Sequence, residues 1–241
     1  MKVYCATNVG CVRKVNEDSY YLPQDNERFV AVADGMGGHL AGEVASQTAV
    51  RVFSECLLGE RQLAEDKMRH AFIKANQEIY QMAERDPKKH GMGTTLTALW
   101  FGQGTLLMGH VGDSRAYRLR DGKLSCLSVD HSYVNELVKR GVITPEMAKH
   151  HPQRNVITRS VGPLPRVEVD VERFDMREKD VWLLCTDGLT EYLSDEEMEA
   201  ILTGRGTWQR KMQKMINEAL ERGGADNVTL MIATGESDGN A

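Results

Sequence analysis

The sequence predicts an α+β fold in which two antiparallel β-sheets form a central sandwich between layers of α-helix. Short apolar stretches typical of strands come first, helical spacing follows, and this succession is repeated without regular βαβ alternation. An Asp-Gly pair at 121–122 marks a two-residue hairpin in the middle of the chain. No repeat or linker divides the sequence, so we expect one domain over residues 1–241.

The first predicted elements are a hairpin and two helices. Residues 19–22 and 28–33 have the composition of short strands, and turn-forming residues centred near Asn26 lie between them. Apolar side chains then recur every three or four residues over 41–52 and over 68–82. This spacing predicts two amphipathic helices whose methionines and aromatic side chains face the core.

The rest of the chain predicts a meander, a polar excursion and a second strand–helix set. The meander is formed by GTTLTALWF, TLLMGHV and RAYRLRDGKLSCLSV. Residues 131–162 are polar and have one short helical pattern and no strand signal. Strands are then predicted in VEVDVERFDM and VWLLCT, helices around 195–202 and 212–220, and a final strand in NVTLMIAT.

Composition excludes several classes of protein. The 241 residues carry 30 Lys and Arg against 35 Asp and Glu, a net charge of −5 without basic runs, which argues against a nucleic-acid partner. The five cysteines are odd in number and contain no C-x-x-C, so neither a disulfide framework nor a zinc ribbon is expected. The start of the sequence shows no leader pattern and no stretch approaches about 18 apolar residues, so we expect a cytoplasmic protein without a membrane span. We also expect a monomer.

Several aspartates lie at the ends of predicted strands. Asp34 directly follows FVAVA, and Asp187 directly follows VWLLCT. A turn centred near Asn26 makes Asp18 and Asp34 opposite partners in an antiparallel hairpin. Asp226, at the start of the last strand, faces Asp187 in the same way if those two strands are antiparallel. Two packed sheets can then bring both pairs into one site.

Four carboxylates at close range need a cation, because like charges cannot all stay ionised without compensation. Oxygen ligands favour Mg²⁺ or Mn²⁺ over zinc, and paired ions held by carboxylates are a recurrent device for hydrolysing phosphate esters. The glycine-rich segment 34–39 permits close backbone approach to an ion or substrate. Arg13 is suited to a bidentate grip on phosphate. Taken singly, each aspartate is explained better by turn or cap chemistry than by a metal site.

Together these residues resemble the metal-dependent protein phosphatases, the PPM or type 2C serine/threonine phosphatases. The matching segments, in the family's order, are RKVNED (13–18), DGMGGH (34–39), GTT (93–95), GDSR (112–115), DHS (130–132), NVITR (155–159) with Gly162, DGL (187–189) and DN (226–227). The DGMGGH form and the short chain resemble the bacterial branch. The resemblance implies the PPM fold and a cytoplasmic enzyme that dephosphorylates phosphorylated proteins and opposes a serine/threonine kinase.

The resemblance also implies a site for two Mn²⁺ or Mg²⁺ ions. In that arrangement Asp34 bridges the two ions and is itself a catalytic residue. Asp187 and Asp226 complete the first ion's site, and the Gly35 carbonyl contributes to the second. A water between the ions attacks phosphorus directly, without a phosphoenzyme and without any other cofactor.

Further roles are implied for residues around these ligands. Glu17 and Asp18 hold waters bound to the ions, and Asp113 is a candidate ligand of a third, weaker ion. Arg13 binds the phosphoryl oxygens as a catalytic residue. Asn227 orients its neighbouring ligand by hydrogen bonding.

The sequence departs from the family pattern at two positions. Met36 follows Asp-Gly where many eukaryotic members have a histidine proposed to protonate the leaving oxygen, which makes His39 a candidate proton donor; a packing role for His39 is an equal alternative. Glu191 stands where some relatives carry an aspartate on the third ion. Residues 131–162 correspond to the family's flap beside the site, which is expected to select substrates.

The leading functional hypothesis is therefore a Mn²⁺- or Mg²⁺-dependent protein phosphatase. The alternative is a catalytically weak regulatory domain of the same fold that binds phosphoproteins, although such a domain is expected to have lost metal carboxylates. A phosphoesterase acting on nucleotides or nucleic acid is disfavoured, because only 6% of the residues are aromatic and the net charge is negative.

Overall fold

The computed structural model describes residues 1–24, 27–37, 41–60 and 62–235. The strands in these ranges are β1 Lys2–Asn8, β2 Asp18–Tyr21, β3 Phe29–Met36, β4 Gly93–Thr94, β5 Leu96–Phe101, β6 Thr105–Val111, β7 Arg115–Arg120, β8 Lys123–Cys126, β9 Asp170–Asp175, β10 Val181–Cys185 and β11 Val228–Thr234. The helices are α1 Ala41–Leu57, α2 Glu65–Arg85, α3 Tyr133–Lys139, α4 Pro145–Lys149, α5 Asp187–Thr190, α6 Asp195–Thr203 and α7 Trp208–Glu221. Among the described helices, none has the length and apolarity that crossing a bilayer requires.

The strands form two antiparallel sheets, as the sequence predicts. One sheet has the strand order β1-β11-β10-β7-β8, and the other has the order β2-β3-β5-β6-β9 with β4 paired to β3. Helices α1 and α2 cover the second sheet, and α6 and α7 cover the first. The result is the predicted sandwich of two sheets between helical layers.

Three groups of buried apolar side chains hold these layers together. Phe53 and Phe72 belong to the group between the helices α1 and α2 and their sheet. Trp182 belongs to the group between the two sheets, and Met198 to the group under α6 and α7. The strand β3 explains the continuous apolar run FVAVA, since its alternate residues enter two different groups and none of the five is exposed.

The first predicted hairpin is present with the predicted register. In the pairing of β2 with β3, Asp18 lies opposite Asp34. The turn residues Asp25 and Asn26 lie outside the described residues. The second predicted hairpin joins β7 to β8 through Asp121 and Gly122, which both have positive φ angles, of 52° and 80°.

Some elements were not predicted. Strand β1 pairs with β11 along its whole length, although its sequence KVYCATN shows little alternation. The short helices α4 and α5 were also missed, because each spans only about one turn and shows no apolar periodicity. Strand β9 begins only at Asp170, so the first three residues of the predicted strand VEVDVERFDM lie outside it.

The polar excursion over 131–162 contains α3 and α4 and is joined to the body by short backbone contacts. The His131 N–H donates to the Gly112 carbonyl over 2.8 Å, and the Val161 N–H donates to the Thr94 carbonyl over 2.8 Å. Val161 forms an isolated bridge with Thr94 next to β4. Both ends of the excursion therefore lie near the edge of the sheet that carries Asp34.

Candidate metal centre

Two of the predicted carboxylates lie on the hairpin of β2 and β3. Asp18 begins β2 and is almost fully buried, and Asp34 lies opposite it near the end of β3. The Asp34 backbone is fixed by neighbouring threonines: its N–H donates to Thr95 Oγ1 over 2.8 Å, and its carbonyl accepts from Thr94 Oγ1 over 2.8 Å. Backbone pairing and side-chain contacts thus hold both aspartates at one edge of the sandwich.

The other predicted pair comes from the second sheet. Strands β10 and β11 are antiparallel, which is the condition for the predicted pairing. Their register, however, pairs Cys185 with Leu230, so Asp187 and Asp226 lie offset by two residues rather than directly opposite. Asp187 follows β10 as the first residue of α5, and Asp226 precedes β11. Each sheet therefore contributes two carboxylates to the same edge.

The two pairs meet across the sandwich. The Asp34 carboxyl interacts electrostatically with those of Asp18 and Asp187. Asp18 interacts electrostatically with Asp187 and Asp226, and Asp34 interacts with Asp113. The predicted cluster of four carboxylates is present, and Asp113 joins it.

Burial and mutual repulsion change the acidity of this cluster. Burial, followed by the negative charges of its neighbours, raises the pKa of Asp34 well above its ordinary value. Burial also raises the pKa of Asp18 to about 7 and that of Asp187 to about 6. The pKa of Asp113 is raised by burial and by the charge of Asp187. Such a site attracts positive charge.

Glu17 lies beside this cluster in a crowded backbone cradle. Its N–H donates to Asn227 Oδ1 over 2.8 Å, and its carbonyl accepts from Gly35 N over 3.1 Å. A Cβ on Gly35 would lie 2.1 Å from the Gly42 carbonyl oxygen, and a Cβ on Gly42 would lie 2.7 Å from Glu17 Oε1. Only glycine fits at both positions, since real Cβ atoms do not approach other atoms so closely.

Arg13 is directed into the site by an ion pair. Its guanidinium donates to Asp226 Oδ2 over 2.7 Å and lies 3.9 Å from Glu17 Oε2. The side chain is 47% exposed, so the guanidinium is accessible to a ligand from solvent. The arginine predicted to bind phosphate therefore lies at the rim of the carboxylate cluster.

Asn227 contacts the backbone around Glu17 more than it contacts a carboxylate. Its amide donates to the carbonyls of Val9 and Val15 over 2.9 and 3.0 Å, in addition to accepting from Glu17 N–H. Only its own backbone N–H reaches Asp226 Oδ1, over 2.8 Å. Its side chain thus holds the segment that carries Arg13 and Glu17, and its predicted action on a neighbouring ligand passes through the backbone.

The donor set fits hard divalent ions. Four carboxylate oxygens of the cluster are buried without a hydrogen-bond partner: Glu17 Oε1, Asp18 Oδ1, Asp113 Oδ1 and Asp187 Oδ1. An unpaired buried carboxylate oxygen is costly unless a cation compensates it. Because all the donors are oxygen atoms, they match Mn²⁺ or Mg²⁺ and do not match a zinc site.

The described side chains do not already form a ready-made metal-ligand group, since no three His, Cys, Asp or Glu side chains in the described part of the chain have that arrangement. Asp226 is engaged by Arg13, whose guanidinium donates to its Oδ2 over 2.7 Å. Ions bound here would replace the guanidinium by stronger positive charge, and the four unpaired carboxylate oxygens are free to bind them.

The remaining predicted positions are described in part. His39 lies outside the described residues, so its role as proton donor stays a prediction. Glu191 lies near Asp187 and accepts a hydrogen bond from the Asn155 amide of the excursion over 131–162. The excursion therefore contacts the site through Glu191, where the family resemblance places a third ion.

Sequence reasoning missed the hydroxyl groups that support the carboxylates. The Thr95 hydroxyl accepts from Asp34 N–H over 2.8 Å and shares a hydrogen bond of 2.7 Å with Ser114 Oγ. The Thr186 hydroxyl donates to Asp18 Oδ2 over 2.9 Å. Thr95 and Thr186 each lie next to a recognised aspartate or glycine motif, but nothing in the sequence distinguishes a supporting threonine from a strand-forming one.

Comparison with known proteins connects this site to an enzyme family. The family model described as protein phosphatase 2C matches residues 12–228 of this chain. The chain is 40% identical to the serine/threonine phosphatase Stp of Listeria monocytogenes over 234 residues, which cover 94% of this chain and 92% of the relative. It is 41% identical to the serine/threonine protein phosphatase PstP of Mycobacterium tuberculosis over 93% of this chain and 43% of the relative.

Solved structures agree with these sequence comparisons. The crystal structure of the Mycobacterium tuberculosis phosphatase PstP has a TM-score of 0.90 to this chain at 39% identity, covering 98% of this chain and 99% of that one. The PstP catalytic domain in complex with two manganese ions has a TM-score of 0.87 at 38% identity, covering 96% of each chain.

Proposed function

The chain belongs to the protein phosphatase 2C family, and we propose on that basis that it hydrolyses phosphoserine and phosphothreonine on proteins at the carboxylate cluster around Asp34. It is a metal-dependent serine/threonine protein phosphatase, and its cofactor is Mn²⁺ or Mg²⁺, two ions per site. The observation that carries the site assignment is the set of buried carboxylate oxygens without partners at the edge where the two sheets meet.

In this proposal the ligands are those given by the sequence. Asp34 and the Gly35 carbonyl lie on β3, and Asp187 and Asp226 lie at the ends of β10 and β11. Asp18 and Glu17 hold waters around the ions, and Asp113 supports a third ion. The proposed metal site therefore consists of Glu17, Asp18, Asp34, Gly35, Asp113, Asp187 and Asp226.

When bound, the two ions supply Lewis acidity, which makes a water nucleophilic at neutral pH and neutralises charge on the phosphoryl group. The protein's part is to orient the substrate and stabilise the charge that develops. Arg13 can leave Asp226 and donate to two phosphoryl oxygens, because its exposed guanidinium lies at the rim of the cluster. The buried aspartates hold their oxygens in fixed positions, which lowers the cost of reorganisation during the reaction.

The proposed enzyme acts within a phosphorylation cycle. Phosphorylated proteins are the substrates, a serine/threonine kinase supplies them, and the enzyme acts as a cytoplasmic monomer of one domain. The segment 131–162 is the flap of that domain and contacts the site through Asn155 and Glu191. Its position beside the ligands supports a role in selecting substrates.

A regulatory domain that only binds phosphoproteins remains the second candidate. It requires phosphate recognition without turnover. The complete set of acidic ligands, including Asp34, Asp187 and Asp226, disfavours it, because a domain without turnover has no need to keep such costly buried charges.

The test is hydrolysis of a phosphothreonine peptide by protein stripped with EDTA and then supplied with Mn²⁺, Mg²⁺, Ca²⁺ or Zn²⁺. We expect phosphate release only with Mn²⁺ or Mg²⁺. Activity that survives EDTA contradicts the metal assignment, and persistent inactivity with metal bound favours the regulatory domain.

The matched variants are Asp34→Asn and Asp121→Asn. Asp34→Asn removes the proposed bridging carboxylate, and we expect turnover to fall below detection while the fold is retained. Asp121→Asn makes the same chemical change in the exposed turn between β7 and β8, where asparagine is equally well suited to a positive φ angle. Full activity in Asp34→Asn contradicts the site assignment.

A further inference from the structure

A group of hydroxyls lies behind Asp18, on the side of the carboxylate away from its unpaired oxygen. Thr186 Oγ1 donates to Asp18 Oδ2 over 2.9 Å and accepts from the Thr229 N–H over 3.0 Å. Both threonines are fully buried. The N–H can only donate and the carboxylate, when ionised, can only accept, so the direction of both bonds is fixed.

A second line of hydrogen bonds leads from the surface to Thr229. The Asn16 amide donates to Thr7 Oγ1 over 2.8 Å, and Thr7 Oγ1 lies 2.7 Å from Thr229 Oγ1. The Thr229 hydroxyl lies close enough to the Asp18 carboxylate to lower its pKa. This line therefore ends beside the same carboxylate that Thr186 contacts.

These contacts give the two carboxylate oxygens of Asp18 different surroundings. Oδ2 accepts from the buried Thr186 hydroxyl, whereas Oδ1 is buried and has no partner. A carboxylate on a flexible side chain can rotate and exchange its oxygens. Donors that engage one oxygen stop this rotation and keep the other in a single position.

Building on the proposed function, we propose that Thr186 and Thr229 are positioning residues of the metal centre. Their hydroxyls hold Asp18 so that Oδ1 stays directed at the metal ions or their waters. Thr7 and Asn16 extend the same support to the surface. The threonine of β11 and the threonine after β10 thus act on a ligand carried by the opposite sheet.

Calorimetric titration of EDTA-stripped protein with Mn²⁺ tests this without relying on activity. Thr186→Val keeps the shape of the side chain and removes the hydroxyl, and we expect Mn²⁺ affinity to fall about 10- to 100-fold. Thr186→Ser restores the hydroxyl, and we expect it to bind Mn²⁺ nearly as the wild type does. Thr48→Val is the matched control, because it removes a buried hydroxyl whose partner is the sulfur of Met82 on α2.

A double-mutant cycle separates positioning from a general loss of structure. If Thr186 acts through Asp18, then Thr186→Val should cost no further Mn²⁺ affinity in an Asp18→Asn background. Thr7→Val, at an exposed position on β1, is the variant to use if Thr186→Val does not fold, and we expect a smaller fall of several-fold.

The proposal is overturned if the folded threonine variants bind Mn²⁺ as the wild type does, or if the effects of Thr186→Val and Asp18→Asn simply add. Failure of the proposed function gives a different result. In that case the wild type releases no phosphate with Mn²⁺ bound, while the affinity differences between the threonine variants are still measurable.

Discussion

Arg13 is held by two acidic residues in the structure, and its proposed substrate competes with both. The guanidinium bonds Asp226 and lies within ion-pair distance of Glu17. Exposed ion pairs of this kind contribute little free energy, so a phosphoryl group can displace them at small cost. The ion pair therefore keeps the side chain aimed at the site until substrate arrives.

Replacing Arg13 by alanine is expected to weaken substrate binding more than chemistry. We expect KM for a phosphothreonine peptide to rise about 10- to 100-fold at saturating Mn²⁺, since a charge-assisted hydrogen bond contributes about 1.5–3 kcal/mol. Arg13→Lys keeps the charge without the bidentate geometry and should give an intermediate KM. Steady-state kinetics measure both, and an unchanged KM in Arg13→Ala counts against the role.

The contribution of His110 to the free energy of unfolding depends on pH. Its ring bonds Thr97 Oγ1 and stacks near His131, with Asp130 and Asp170 as the nearest acidic groups. Burial, followed by the charge of His131, lowers its pKa from 6.5 to about 4. His110 therefore binds a proton more readily in the unfolded chain than in the folded one. Its contribution to the stability of the folded state is complete above about pH 6.5 and is lost as pH falls toward 4.

His110→Asn is expected to flatten this pH dependence. Other groups, including the buried aspartates, titrate in the same range, so the difference between wild type and variant is the useful quantity. We expect the free energy of unfolding of the wild type to fall more than that of His110→Asn between pH 7.5 and pH 5. Urea denaturation at the two pH values measures it, and equal changes in both proteins would falsify this role.

Single residues show how far sequence reasoning reaches. Asp18 and Asp34 were predicted as partners because the centre of a hairpin turn determines which residues lie opposite each other. The support from Thr186 and the clearance at Gly42 were not predicted. Both depend on contacts between segments far apart in the chain, and a threonine or glycine in such a segment has an ordinary local explanation.

At the scale of elements, the start of α1 is fitted to the metal site. Gly42 lies in the first turn of α1, directly against the Glu17 carboxylate. Glycine inside a helix costs about 1 kcal/mol relative to alanine, so helix propensity alone favours alanine at position 42. The cradle formed by Glu17 and Gly35 disfavours alanine there, because a Cβ on residue 42 would collide with both.

Gly42→Ala is therefore expected to lose metal affinity despite its better helix propensity. The added methyl group must displace Glu17 or the Gly35 carbonyl, and both are proposed to act at the ions. We expect Mn²⁺ affinity to fall about tenfold or more by calorimetry. A variant that is more stable and binds Mn²⁺ with wild-type affinity shows that the cradle can relax.

The elements that sequence predicts well are those with strong local signals. The Asp-Gly turn and the amphipathic helices α1, α2 and α7 were found because turn chemistry and helical spacing are local properties. Strand β1 was missed because its position is fixed by pairing with β11 at the other end of the sequence. Helix α5, only four residues long, is too short to show any periodicity.

At the scale of the molecule, the metal site joins two sheets. Asp18 and Asp34 belong to one sheet, and Asp187 and Asp226 adjoin strands of the other. Ions that bind only this arrangement stabilise the folded state by mass action, by about 2.7 kcal/mol at 100 times Kd. The same ions relieve the repulsion among the buried carboxylates.

Adding Mn²⁺ to EDTA-stripped protein should therefore raise Tm. A chain of this size gains about 2–4 °C per kcal/mol, so we expect a shift on the order of 5–10 °C. Scanning calorimetry with and without Mn²⁺ measures it. The Asp34→Asn variant should lose most of this rise in Tm. An equal rise in Tm in that variant would mean that Mn²⁺ binds at another place in the protein.

The pairing of β1 with β11 also has a consequence for biosynthesis. A ribosome releases Asp18 and Asp34 long before it reaches Asp226 and β11, the strand that pairs with β1. A nascent chain that ends before β11 therefore has an incomplete ligand set. Such prematurely terminated chains are unable to assemble the site, so phosphatase activity arises only after β11 has been made.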